Sequence, residues 1–137
     1  MGCEMKIIRA EVSDLRKCLQ MVLKSEVCPE TKIGEWYSII PFAQSLGYVY
    51  TTPERDGFVM CYRIPEWKES YSDVIPTHEE GDILYCAWAV SESSRRNVLL
   101  DMVKNFPYPI KELIYYKRNS NTDFKRLKLR RNEYVEV

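Results

Sequence analysis

The chain has 137 residues with 20 basic and 20 acidic side chains, so its formal net charge is zero. With 45% apolar and 29% charged residues it has the composition of one globular domain, spanning 1–137, with enough chain for a real core. Zero charge removes any global attraction to nucleic acid or an anionic membrane, and no run is apolar enough to cross a bilayer or to read as a signal peptide.

Met5 to Arg9 has the composition of a short first strand. Ser13 or Asp14 then offers a helix cap, and Leu15, Cys18, Leu19, Val22 and Leu23 follow at helical spacing. Cys28-Pro29 ends that helix. Thr31 to Ser45 predicts a second helical stretch with Trp36, Tyr37, Ile40 and Phe42 on its buried side, kinked or broken at Pro41. Tyr48 to Thr52 and Phe58 to Ile64 are β-rich segments on either side of Pro53-Glu54-Arg55-Asp56-Gly57, so they predict a hairpin. Glu66 to Gly81 has no periodicity, is acidic, and contains the single histidine, His78. A loop of that length is expected to be functional or mobile.

Gly81 to Arg118 organises the rest. Asp82 to Val90 is apolar on both faces, as a strand covered on both sides must be. Ser91 can cap a helix carrying Val98, Leu99, Met102, Val103 and Phe106 on one stripe, stopped by Pro107 and Pro109. Glu112 to Lys117 returns as a strand. Two strands joined through a helix should lie parallel with a right-handed crossover. Asn119 to Thr122 reads as a turn and helix start, Phe124 and Leu127 as a short helix, and Glu133 to Val137 as a closing strand.

The five cysteines, Cys3, Cys18, Cys28, Cys61 and Cys86, are odd in number and form no Cys-x-x-Cys. That is the usage of a reducing, cytoplasmic compartment, with thiols packed as small apolar groups. One histidine and these spacings give no credible zinc site. Lys6 stands where a myristoylation motif wants Ser or Thr, so Met1-Gly2-Cys3 is set aside. An acidic stretch from Glu66 to Asp82 and a basic one from Lys117 to Arg131 read first as two solvated surfaces. A second reading of the basic stretch is a face for a phosphate-bearing ligand or a partner.

In the order of these elements the chain resembles the GNAT-type N-acyltransferases. Ile7 to Leu15 looks like their opening strand and first helix, Asp82 to Val90 like their fourth strand, and Asn121 with Phe124 and Leu127 like the start of their last helix. The resemblance implies an α+β fold, a mixed β-sheet with helices on both faces. It implies transfer of an acetyl group from acetyl-CoA to a primary amine of a protein or small molecule, by direct attack. The pantetheine arm would pair with the backbone near Trp88 to Val90, where the strands splay. Arg95 falls at the family's Gln/Arg place, but Val98 and Leu100 stand where it has small residues, so the glycine-rich pyrophosphate loop is missing. Arg95 and Arg96 would pair with pyrophosphate instead, and Asn121 would join the cofactor site.

The resemblance also implies a base and an acid. Glu79, Glu80 and His78 precede the central strand, and a carboxylate or imidazole there would take an amine proton through water. Tyr115, Tyr116 and Tyr134 are candidate acids, with Tyr116 counted in the site. Lys128 stands where the family often has tyrosine. Cys86, mid-strand, reads as an inert thiol. Similar short GNAT-like chains occur among tailed-phage proteins, so the rival expectation is a catalytically silent structural or interaction protein of the same fold. A nucleic-acid binder using Lys117 to Arg131 ranks last, since no recognised module is present.

Overall fold

In the computed structural model the strands follow one another across a single mixed sheet in chain order. The structure describes residues 7–25, 31–72, 75–77, 80–92, 105–116, 124–130 and 133–136. Among them run β1 (Ile8–Arg9), α1 (Leu15–Ser25), α2 (Ile33–Ser45), β2 (Val49–Thr51), β3 (Gly57–Ile64), β4 (Ile83–Ser91), β5 (Glu112–Tyr116), β6 (Phe124–Arg130) and β7 (Glu133–Glu136). The sheet order is β1 to β7. Among the described residues only β4 and β5 pair in parallel, and the other neighbours are antiparallel. The fold is therefore α+β. The parallel strands expected from Asp82 and Glu112 are present, while the helix expected over Val98 to Phe106 lies largely outside the described residues.

The helices form where the spacing places them, with corrected ends. A short 3-10 turn, Val12–Asp14, precedes α1. The Glu11 N–H donates to Asp14 Oδ2 at 2.9 Å, so Asp14 folds back on the turn from inside it and is not the cap. Asp14 also accepts from Arg55 Nε at 3.1 Å, a tie the sequence does not announce. α2 runs unbroken past Pro41 to Ser45. Its buried side is Trp36, Ile40 and Ala43, whereas Tyr37 and Phe42 are exposed. Trp36, Ile40 and Ala43 have the i, i+4, i+7 spacing of one stripe, and Tyr37 and Phe42 lie off it.

The β2–β3 hairpin forms as expected. Its left-handed residue is Arg55, with φ 55°, and not a glycine. The Arg55 N–H donates to the Thr52 carbonyl at 3.0 Å, and the Thr52 hydroxyl bonds Asp56. The Arg55–Asp14 ion pair, with Asp14 nearly buried, offsets part of the cost of that backbone.

The largest correction is at β6. Residues 124–130 form a strand, not a helix. Phe-Lys-Arg-Leu-Lys-Leu-Arg offers Leu127 and Leu129 two apart, and Leu127 packs under the sheet with Leu113 and Tyr115. A hydrogen-bonded neighbour on each side, β5 and β7, decides the outcome over local propensity.

Two cores cover the two faces of the sheet. Cys18, Val22, Trp36, Ile40 and Ala43 of the helices pack on Phe58, Met60, Tyr62, Tyr85 and Trp88. On the other face Tyr50, Val59, Cys61, Leu84, Cys86 and Leu113 pack with Ile110. Both described helices thus lie on one face. The expected helix on the second face falls in the segment outside the description.

Glu112 is nearly buried and pairs with Arg126 of β6. Removing the cation alone strands a buried carboxylate. Arg126→Ala should therefore cost about 2–3 kcal/mol in urea unfolding, while Glu112→Leu with Arg126→Leu should recover most of it.

Burial also sets a pH limit. Desolvation, with the Asp14 charge adding to it, pushes the Cys18 thiol up to about 12 from 9.0. Burial pushes the Tyr62 hydroxyl up as well, helped by Tyr85 and Tyr48. Both groups hold their protons more tightly folded than unfolded. Their stabilisation is complete below the unfolded values and is lost as pH rises toward the folded ones. Thermal melting should fall steadily from pH 9 to 12, and Cys18→Ala should delay the onset toward 10, where Tyr62 takes over.

Candidate functional site

β3 and β4 pair residue for residue until one position. Cys61 lies opposite Cys86 and Met60 opposite Trp88, so Ala87 is an extra residue in β4. This is a β-bulge. It shifts the alternation by one. Ile83 and Tyr85 face the helices before it, and Trp88 and Val90 face them after it. Without the bulge Trp88 would point to the opposite face.

The bulge follows directly on the last β4–β5 pair among the described residues. Their register runs from Ile83–Glu112 to Cys86–Tyr115 and stops. Among the described residues no strand pairs with β4 on that side beyond Cys86. The direction of its backbone groups follows from the neighbours. The Cys61 N–H donates to the Tyr48 carbonyl, so Cys61 faces β2 and Met60 faces β4. The Lys111 N–H donates to the Asp82 carbonyl, so Asp82, Leu84 and Cys86 face β5. The Glu92 N–H donates to the Asp56 carbonyl on the β3 side. Alternation then turns the N–H and C=O of Ala89 and Ser91 toward the gap. The side chains along this stretch, Ala87, Ala89 and Ser91, are small and half-buried, while Trp88 and Val90 are buried.

Trp88 carries a second feature. Its indole packs edge-to-face on Trp36, with ring centroids 6.0 Å apart and planes at 89°. Its Nε1–H is buried and has no hydrogen-bond partner among the described residues. Such a group costs free energy unless something outside the fold accepts from it.

The loop entering β4 is held by aromatic side chains. Trp67 stacks on Tyr85 at 5.1 Å. The Tyr62 hydroxyl donates to the Tyr71 carbonyl at 2.6 Å, and Tyr48 donates to the Pro76 carbonyl at 2.5 Å. Gly81, at φ 106°, brings the loop against the end of β3. The stretch from Trp67 to Gly81 is therefore anchored at several described points, which the absence of periodicity does not reveal.

The sequence-predicted residues divide clearly. Trp88 and Val90 lie on the bulged half of β4, but their backbone groups face β3 and their side chains lie in the helix-side core, so neither presents a group to the β5 side. Tyr116 is the last residue of β5 and pairs with Phe124 of β6. Glu80 is exposed and precedes β4. Ile83 and Ala87 are already roughly 13 Å apart along the strand, and Glu80 lies beyond Ile83, so the structure does not bring it to the gap. His78, Glu79, Arg95, Arg96 and Asn121 lie outside the described residues. Lys128 is exposed on β6, opposite Glu112, and heads no helix. Sequence reasoning included Ala89 only within the stretch Trp88 to Val90, and it missed Ala87. Their signal is faint: two small residues interrupt an otherwise bulky buried strand.

Among the described residues no three His, Cys, Asp or Glu side chains are grouped to hold a metal ion, and no helix is long and apolar enough to cross a membrane. No protein-family model matches the chain, and no curated protein matches it.

Proposed function

We propose that the protein is an acetyl-CoA-dependent N-acyltransferase that transfers an acyl group directly to a primary amine of a protein or small molecule. One observation carries the reading: the bulged half of β4 turns the backbone of Ala89 away from β3, to a side where no strand among the described residues pairs with it, between the small half-buried side chains of Ala87 and Ala89. An extended amide-bearing arm fits such an edge as an added strand would, through main-chain hydrogen bonds. The pantetheine portion of CoA is such an arm, and small side chains leave it room.

The acyl donor supplies an activated thioester. The chain's residues supply position and polarity. Ala89 N–H and C=O would hold the arm, and β3 on the far side keeps β4 rigid. An amine nucleophile forms a C–N bond to the acyl carbon as the C–S bond breaks. The electron pair leaves on sulfur, and the amine's surplus proton passes to solvent or a nearby base. Tyr116, in β5, is proposed as the acid that returns a proton to the departing sulfur. Glu79 remains in the proposal as the base, Arg95 and Arg96 as partners of the pyrophosphate, and Asn121 as part of the cofactor site. Glu80, at the far end of β4, takes no part in this mechanism.

A second reading rests on other observations. Trp88 closes on Trp36, and β6 stands where the resemblance has a helix. Under it the protein is a catalytically silent interaction protein of the same topology, as in short phage proteins. Calorimetric titration with acetyl-CoA separates the two. Micromolar binding that Ala89→Pro weakens supports the transferase. No heat at millimolar acetyl-CoA sinks it.

A further inference from the structure

We infer that Cys61 and Cys86 form a redox-sensitive site, two thiols set to close a reversible cross-strand disulfide between β3 and β4 beside the bulge. The inference stands apart from the transferase reading. Cys61 and Cys86 lie opposite each other in the β3–β4 register, and both are thiols in this structure. Both side chains belong to the core on the face away from the helices. The Cys61 N–H donates to the Tyr48 carbonyl on β2, and the bond from Lys111 to Asp82 sets the alternation that turns Cys86 toward β5. Neither main chain bonds the other, so this is a non-hydrogen-bonded pair, whose Cα atoms lie about 4.5 Å apart. A disulfide spans Cα atoms about 4.4–6.8 Å apart. Cys18 lies in the core on the other face of the sheet, so among the described cysteines only this pair can join.

Cys61 is 1% and Cys86 3% exposed, and burial keeps thiols inert while the sheet is closed. Reaction therefore follows local opening. The oxidant is a small-molecule disulfide. The thiolate of one cysteine attacks it, its S–S bond breaks, and one half leaves as a thiolate that takes up a proton. The thiolate of the other cysteine then attacks the mixed disulfide, and the second half leaves in the same way. The protein gives up two electrons and two protons, and the small disulfide receives both as two thiols. The reverse exchange restores the pair. In the reduced state the Cys86 S–H donates to the Trp88 carbonyl at 3.4 Å, past the extra residue. The S–S bond replaces that weak hydrogen bond and ties β3 to β4 where the register shifts. It also closes a loop of about 25 residues and so restricts the unfolded chain.

The test refolds the reduced full chain from urea in a buffer of reduced and oxidised glutathione, so that burial does not limit access. Peptide mapping without reduction should find Cys61 joined to Cys86 as the main link, lighter by the hydrogens lost. The urea midpoint of this protein should be about 1–2 M higher without dithiothreitol than with it. Cys61→Ala and Cys86→Ala should each abolish that difference, and Cys18→Ala should keep it. The comparison of wild type with and without dithiothreitol needs no variant to fold. Recovery of Cys61 and Cys86 as thiols, or each bound to glutathione, overturns the inference. So does a link of either one to Cys3 or Cys28 in place of the pair. A linked protein that unfolds at lower urea than the reduced one overturns it too, because the pair would then join only under strain.

Discussion

Gly81→Ala is expected to cost about 3–5 kcal/mol and to leave little folded protein at 37 °C. Two costs add at one position. Gly81 has φ 106°, a backbone region that an L side chain rarely adopts. A Cβ there would also meet the Ile64 carbonyl oxygen and lie 2.6 Å from Pro65 N, both backbone atoms that no rotamer change can move. The end of β3 and the start of β4 would have to separate, and the pairing of Ile64 with Ile83 would go first. Urea unfolding by circular dichroism reads the loss. Gly34→Ala is the control, since a Cβ at Gly34 meets nothing, and alanine favours the helix it occupies by roughly 1 kcal/mol. A Gly81→Ala protein as stable as wild type would mean that the loop does not approach β3 as described.

Ala89→Pro is expected to leave the fold intact and to weaken acetyl-CoA binding by roughly tenfold to a hundredfold, the loss of one main-chain hydrogen bond and its geometry. Proline removes the N–H and is tolerated in a strand only where that N–H makes no ladder bond. The alternation along β4 turns Ala89 away from β3, so the β3–β4 ladder keeps its bonds. Trp88→Pro would break that ladder, because Trp88 faces Met60. A pair of melting curves tests the geometry, with Ala89→Pro near wild type and Trp88→Pro far below it. Calorimetry on Ala89→Pro then tests the ligand. A stable Ala89→Pro protein that binds acetyl-CoA as wild type does would remove the main-chain edge from the site.

Much of the fold was legible because its signals are local. The α1 stripe of Leu15, Cys18, Leu19, Val22 and Leu23 needs only 3.6-residue spacing, and the turn residues from Pro53 to Gly57 announce the β2–β3 hairpin. The apolar run of β4 declares a strand buried on both sides, and its pairing beside β5 follows from the crossover rule. The errors have one origin. β6 reads as a helix because Phe124 and Leu127 suit one by spacing, while its pairing with β5 and β7, which spacing within the segment does not show, makes it a strand. Tyr37 and Phe42 were misplaced because an apolar helix does not say which of its sides meets the sheet. Asp14 reads as a cap locally, yet it folds back onto Glu11 and pairs with Arg55 from 41 residues away.

The sequence by itself determined an α+β chain whose centre is a parallel strand pair, because periodicity and β-rich composition are properties of neighbouring residues. Only the tertiary structure decided the candidate site. Whether Ala87 is an extra residue depends on how β3 and β4 count against each other. Whether Ala89 faces a partner depends on where β5 ends. Whether the Trp88 N–H finds an acceptor depends on everything packed around it. These are relations between segments far apart in the chain, set when two twisted strands fit their side chains into both cores at once.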